Sequence, residues 1–315
     1  MAVRIMVGDA RAALETLPAA SAQCVVTSPP YFGLRDYGAA GQIGLEQTPD
    51  AYVAALVDVF RAVRRVLRDD GTVWLNLGDT YAMTTRGGGC RGKQHTNAGS
   101  ILTDRSSPIP AGAKAKDLLM IPARVALALQ ADGWYLRSNI VWHKPNPMPE
   151  SVKDRPTNAH ESVFLLTKSA RYFYDADAVK EPSACGIDRQ RMRPNGLATD
   201  REKMGQYGFT SCGIAATRNL RNVWTITPRP YKGAHFATFP AELAARCIRA
   251  GSRPGDTVLD PFFGAGTTAL AAPDRHCIGV DISPAYVELA RARLSAAGLT
   301  VQVDGVPDEL VQAAE

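Results

Sequence analysis

Five short apolar runs, each closed by a polar or acidic residue and a turn, constrain this chain more than any other feature. They are Ile5-Met6-Val7-Gly8-Asp9, Cys24-Val25-Val26-Thr27-Ser28, Val73-Trp74-Leu75-Asn76-Leu77-Gly78-Asp79, Val258-Leu259-Asp260 and Ile278-Gly279-Val280-Asp281. Runs this short and this apolar read as strands buried on both faces. Helical patterns lie between several of them, as at Tyr52 to Leu67 and Ala285 to Leu294. Buried strands alternating with helices imply an α/β fold, a mostly parallel doubly wound sheet whose ligands gather at the carboxyl ends of the strands. One acid after one strand is explained equally well as a helix N-cap. Several such ends on a single sheet edge predict a site. Two more strands, Tyr135 to Trp142 and Glu161 to Thr167, are expected to form an antiparallel hairpin. Its connection begins Lys144-Pro145-Asn146-Pro147-Met148-Pro149, where the prolines exclude helix.

At 315 residues the chain suits one large domain, with or without an insertion, better than two independent ones. No apolar run approaches the roughly 20 residues of a membrane span, and the start MAVRIMVGDA lacks the apolar core of a secretory signal. A cytoplasmic protein is expected. The six cysteines are scattered without a metal-ligand spacing, so no metal site is expected. The net charge of +5 decides little, but its distribution is informative. Residues 84 to 116 are rich in Gly, Ser and Thr and carry Arg86, Arg91, Lys93, Arg105, Lys114 and Lys116 against one Asp104, the composition of a mobile basic loop. Residues 180 to 233 carry Arg189, Arg191, Arg193, Arg218, Arg221 and Lys232, interleaved with Tyr207, Phe209, Trp224 and Tyr231. A solvated surface loop is one explanation of that mixture. The other is a nucleic-acid reader, because guanidinium forks contact phosphates or guanine edges and rings stack on bases.

The run from Thr257 to Leu270 reads as a strand, a glycine-bearing turn and a helix. Gly264 and Gly266 would let backbone pass close to a ligand, and Asp281, 21 residues after Asp260, stands where an acid holds ribose hydroxyls. A nucleoside-type cofactor follows. A dinucleotide is disfavoured because the third glycine of GxGxxG is missing and Asp260 would repel a pyrophosphate. An acid there would instead welcome a cation, and S-adenosyl-L-methionine has an ammonium, a sulfonium and no phosphate.

Ser28-Pro29-Pro30-Tyr31 follows the second strand. A double proline at a strand end often marks only a turn. Amine methylation gives it another meaning, since the lone pair of an exocyclic base amine is delocalised into the ring. Acceptors around its two hydrogens favour a pyramidal nitrogen and release that lone pair. Ser28 Oγ and the Pro29 carbonyl suit this task, and Tyr31 and Phe32 offer ring faces for a base taken out of the duplex.

These segments resemble the amino-group DNA methyltransferases of bacteria and phages, specifically the SPPY type associated with N4 of cytosine. Thr27 to Tyr31 resembles the catalytic motif, and Gly8-Asp9 the adenine-side cofactor motif. Asp260 to Gly266, with Phe262, Phe263 and the following Thr267, resembles the FxGxG cofactor motif. Asp281-Ile282 matches the ribose acid, and His235 to Pro240, with Thr238 and Phe239, resembles the cradle of the methionine end. The catalytic motif precedes the FxGxG motif, the permuted order of the β class. The resemblance implies a Rossmann-like methyltransferase fold, double-stranded DNA as partner and base flipping, and leaves open whether a cognate restriction endonuclease accompanies the chain. It divides the chain into a catalytic half at 1–179, a target-recognition insertion at 180–233, a cofactor-binding half at 234–300 and a tail at 301–315. No chemical role follows for His160 in the family-like Asn158-Ala159-His160-Glu161. An adenine N6 enzyme usually has Asp in place of Ser28 and shares the rest. A DNA-binding regulator that kept the fold and lost catalysis is the reading from another class.

Overall fold

The five runs become five adjacent parallel strands. In the computed structural model, which describes residues 2–82, 109, 113–183, 217–228 and 239–305, they are β1 (Ala2–Val7), β2 (Ala22–Thr27), β3 (Leu67–Leu77), β9 (Thr257–Asp260) and β10 (His276–Asp281). The hairpin is β4 (Tyr135–His143) and β5 (His160–Thr167). Two short strands, β8 (Val223–Thr225) and β11 (Thr300–Asp304), complete a nine-stranded sheet in the order β11-β1-β10-β9-β2-β3-β5-β4-β8. Neighbours from β11 to β3 run parallel, and β5 is antiparallel to both β3 and β4. The sheet thus extends four residues into the stretch read as a tail, because Thr300–Asp304 pairs with β1 at its edge.

Both faces of the parallel block are covered, which is why its strands are largely apolar on both sides. Helices α1 (Ala10–Glu15), α2 (Pro49–Val66) and α3 (Ile121–Ala131) share one core with Met6, Val25, Val73, Leu75, Leu259 and Val280. The alternate residues Val3, Ile5 and Cys277 pack with α5 (Thr267–Leu270) and α6 (Pro284–Ala296). α2 starts at an N-cap, with Thr48 accepting from the Ala51 N–H at 3.1 Å and Pro49 in the first turn. It buries a stripe of Tyr52, Leu56, Val59, Phe60 and Val63 at three- and four-residue spacing. α4 (Ala241–Gly251) presses its end on β2 and β3, since a Cβ on Gly251 would lie 2.4 Å from Thr72 Oγ1 and 2.9 Å from Cys24 Sγ.

The chain forms two compact units, residues 1–174 with 222–315 and, separately, Asp175–Arg221. The second contains β6 (Glu181–Pro182) paired antiparallel with β7 (Thr217–Arg218). Its bounds differ from the 180–233 insertion at the carboxyl end because Val223–Thr225 is β8 of the main sheet. Trp224, expected among the base-stacking rings, is 2% exposed and packs 6.2 Å from Trp74. It is a core residue.

Candidate active site

The carboxyl ends of β1, β2, β9 and β10 surround one cavity. Ser28, Pro29, Pro30 and Tyr31 line it from β2, and Asp9 lines it from β1. Phe262, Phe263, Gly264 and Thr267 line it after β9, Asp281 and Ile282 after β10, and Phe239 from the segment before α4. The expected catalytic turn and most of the expected cofactor residues therefore face the same space. Thr238 lies outside the described residues.

The β9 turn is shaped by two acids. Asp281 accepts from the Gly264 N–H at 2.8 Å and the Ser283 N–H at 2.9 Å, which ties the glycine turn to the end of β10. Burial pushes its carboxyl up to about 6, against the opposing pull of those two N–H groups. Gly264 and Gly266 both have positive φ, at 51° and 73°, a backbone that side chains rarely adopt. Gly279 on β10 is a matter of space: a Cβ there would sit 2.2 Å from the Phe263 ring. Asp260 behaves differently from the expectation that it meets a cation directly. It is 1% exposed, and its oxygens accept from Thr27 Oγ1 at 2.7 Å, Thr268 Oγ1 at 2.6 Å and the Phe262 N–H at 3.1 Å. Burial raises it to about 6 as well. Neither Asp260 nor Thr27 reaches the cavity wall, because each is spent on the other in joining β2 to the turn after β9. Gly266 is also absent from the wall, since its neighbours are Leu294 and Phe263. Asp9 caps α1 by accepting from the Arg11 and Ala12 N–H groups. Although partial burial opposes it, bonding to the Arg11 guanidinium and the Ala12 N–H keeps its carboxyl below the usual range.

The Ser28 to Tyr31 turn is held from behind. The Tyr52 hydroxyl of α2 donates to the Pro30 carbonyl at 2.8 Å. Tyr31 lies against Gly78, where a Cβ would come within 2.5 Å of its ring. Its hydroxyl donates to Glu161 Oε2 at 2.6 Å and accepts from Asn76 Nδ2 at 2.7 Å, and Asn76 also donates to Glu161 Oε2 at 2.7 Å. Glu161 forms an ion pair with Lys144, whose ammonium stands 4.6 Å from the centre of the Trp142 ring. This cluster exists because β5 runs antiparallel to β3. That direction brings the start of β5 to the carboxyl end of β3, with Asn76 opposite Val163 and Leu77 opposite Ser162. Glu161 thereby reaches the site edge.

Sequence reasoning did not assign roles to Asn76, Glu161, Lys144 or Tyr52. One signal was present, since Asn76 interrupts the apolar run from Val73 to Leu77 and a polar side chain inside a buried run needs partners. The cavity residues Arg35, Tyr37 and Tyr286 were also missed, because the loop after Tyr31 carries no motif and Tyr286 reads only as part of a helical pattern. Of the expected DNA contacts, Arg189, Arg191, Arg193 and Lys232 lie outside the described residues. Arg218 and Arg221 both form ion pairs with Glu181 inside the smaller unit. In the basic loop, Lys114 pairs with Asp117 and Lys116 with Asp154.

Residues 22–292 match the family model of DNA methylases that act on N6 or N4 amines. The chain is 48% identical over 293 residues to the Type II methyltransferase M.SmaI of Serratia marcescens, covering 92% of this chain and 90% of the relative. It is 47% identical to the Type II methyltransferase M.Cfr9I of Citrobacter freundii, covering 91% and 86%. Among solved structures it is similar to a Thermus thermophilus protein described as a putative DNA modification methylase and complexed with S-adenosyl-L-methionine. That likeness has a TM-score of 0.61 and 26% identity, and covers 96% of this chain and 99% of the other. The cytosine-N4-specific PvuII DNA methyltransferase shares the fold at 21% identity and a TM-score of 0.61, covering 98% and 89%.

Proposed function

The chain belongs to the DNA methylase family, and from that premise we propose that it transfers a methyl group from S-adenosyl-L-methionine to the exocyclic N4 amine of cytosine in duplex DNA. The observation that carries this reading is the single cavity shared by Ser28-Pro29-Pro30-Tyr31 and the wall from Gly264 to Asp281.

The wall suits the cofactor. Among the described lining residues Arg35 is the one cationic side chain, against the acids Asp9 and Asp281, a balance that favours a cationic ligand over a pyrophosphate. Phe239, Phe262, Tyr37 and Tyr286 add apolar ring surface. When bound, S-adenosyl-L-methionine supplies the electrophilic methyl group. Asp281 holds ribose hydroxyls, and Gly264 lets the backbone approach closely. Ser28 Oγ and the Pro29 carbonyl accept from the amine, while Tyr52 fixes the turn through Pro30. The Tyr31 ring provides a stacking face for the flipped base. Catalysis then rests on alignment and fixed dipoles.

Cytosine is preferred over adenine on the strength of Ser28. The arginine-rich segment 180–233 reads the target sequence, and the basic stretch 84–116 grips phosphates. The Type II relatives support a role beside a restriction endonuclease of the same specificity, in the cytoplasm. Expression in a host without DNA methylation, followed by nucleoside mass spectrometry, is expected to yield N4-methylcytosine. N6-methyladenine without N4-methylcytosine would overturn the cytosine assignment and leave amine methylation standing.

A further inference from the structure

Amine methylation leaves a proton to be removed, and the catalytic turn has a hydrogen-bonded route leading away from it. Resting on the reading above, we propose that Ser28, Tyr31 and Glu161 form a proton exit chain, with Glu161 as the terminal acceptor and Lys144 holding it.

The donor directions are consistent along the route. Ser28 Oγ donates to the Tyr31 hydroxyl at 3.4 Å, a long contact, and Tyr31 donates to Glu161 Oε2 at 2.6 Å. Asn76 Nδ2 lies 3.4 Å from Ser28 Oγ, 2.7 Å from the Tyr31 oxygen and 2.7 Å from Glu161 Oε2, so one amide spans all three oxygens. The amide nitrogen must face them, because an amide oxygen there would oppose the carboxylate. Burial and the neighbouring Glu161 charge push the Tyr31 phenol well above its ordinary range, which keeps it protonated as a donor. The far end meets solvent: the Glu161 and Lys144 side chains are 14% and 21% exposed.

The proton balance is simple. The nitrogen lone pair forms the new N–C bond as the S–C bond breaks, and the S–C electron pair stays on sulfur. The nitrogen, now cationic, gives one proton to Ser28 Oγ. Ser28 passes its own hydroxyl proton to Tyr31, and Tyr31 passes its proton to Glu161. The carboxylate becomes a carboxylic acid and returns the proton to water at its exposed side. The step needs no further co-reactant.

Two isosteric variants separate this relay from simple support. Tyr31→Phe keeps the ring for stacking and removes the hydroxyl. Glu161→Gln still accepts from Tyr31 but cannot take up its proton. Both are measured as purified full-length protein by single-turnover transfer of labelled methyl groups to unmethylated genomic DNA, with cofactor affinity by calorimetry as the folding control. The relay predicts that each variant slows methyl transfer at least about tenfold, with cofactor Kd and DNA KM within about twofold of wild type. The double variant is expected to be no slower than the slower single one, because both interrupt the same chain. A Glu161→Gln protein that binds cofactor and transfers methyl within about twofold of the wild-type rate would overturn the relay. If Glu161→Gln loses cofactor binding, Tyr31→Phe decides alone by the same criterion. Failure of the underlying reading would look different, as absence of methyl transfer by the wild-type protein.

Discussion

The two sides of the cavity are built by opposite means. On the cofactor side, backbone N–H groups reach carboxylates: Gly264 to Asp281, which joins the turn after β9 to the end of β10, and Phe262 to Asp260 within that turn. On the catalytic side, the Ser28 to Tyr31 turn is braced by side chains from distant parts of the chain: Tyr52, Asn76, Glu161 and Lys144. A backbone cradle needs only short motifs with glycine in the right places. A side-chain brace needs a sheet that turns antiparallel at β5. On the proposed reading the first wall recognises a molecule common to many reactions, whereas the second sets one reaction, so the two are expected to fail in different ways.

The largest effect is expected on the catalytic side. On the proposed mechanism Ser28→Ala removes an acceptor that acts mainly in the transition state, and it is expected to lower turnover about 10²-fold or more, read by steady-state methyl incorporation. On the cofactor side, Asp281→Ala is expected to weaken S-adenosyl-L-methionine binding by about 1.5–3 kcal/mol in calorimetry, the loss of a charged hydrogen-bond acceptor. Unchanged affinity in that variant would remove the ribose assignment.

The pH response sharpens the same contrast. Burial pushes the Asp281 carboxyl up to about 6 in the folded protein, so on the proposed ribose assignment lowering the pH through 6 is expected to protonate it and weaken its acceptance of ribose hydroxyls. Cofactor affinity is expected to fall by up to about tenfold per pH unit below that point. Stability of the unliganded protein moves the other way. Asp281 and Asp260 both have folded values above the ordinary 3.8, so the folded state takes up protons before the unfolded state does. Their contribution therefore becomes more favourable as pH falls from about 6 towards about 4, a trend that urea titrations of wild type and an Asp260→Asn, Asp281→Asn pair would isolate. The smallest effect is expected for Asp260→Asn alone. Its side chain contacts Thr27, Thr268 and Phe262, so cofactor affinity is expected to stay within about threefold, whereas a direct ion pair would cost more.

What was legible in the sequence follows the same division. The five parallel strands and the hairpin were readable because buried strands are largely apolar and their ends carry turn residues. Strands β8 and β11 were not. β8 is three residues long and its Trp224 lies in an arginine-rich stretch, so its burial against Trp74 is invisible without the fold. β11 is a half-exposed edge strand with polar residues between its valines. Most expected cofactor positions line the cavity because each sits in a contiguous motif. Asp260 contacts Thr27, Thr268 and Phe262 rather than the cavity, which was not legible because spacing reveals where an acid falls but not which neighbours already occupy its oxygens. Glu161 was noticed only as part of a family-like block. Its partners lie 85 residues away at Asn76 and 130 at Tyr31, and that separation carries no local signal.

The most direct test of the division measures two quantities on two variants: the single-turnover methyl-transfer rate at saturating cofactor and the cofactor Kd, for Ser28→Ala and Asp281→Ala. The account predicts that Ser28→Ala loses about 10²-fold in rate with Kd within about twofold, while Asp281→Ala loses at least about tenfold in Kd with a rate within a few-fold of wild type. If both variants lost rate and affinity in equal measure, the two walls would not have separate tasks, and the account would be contradicted.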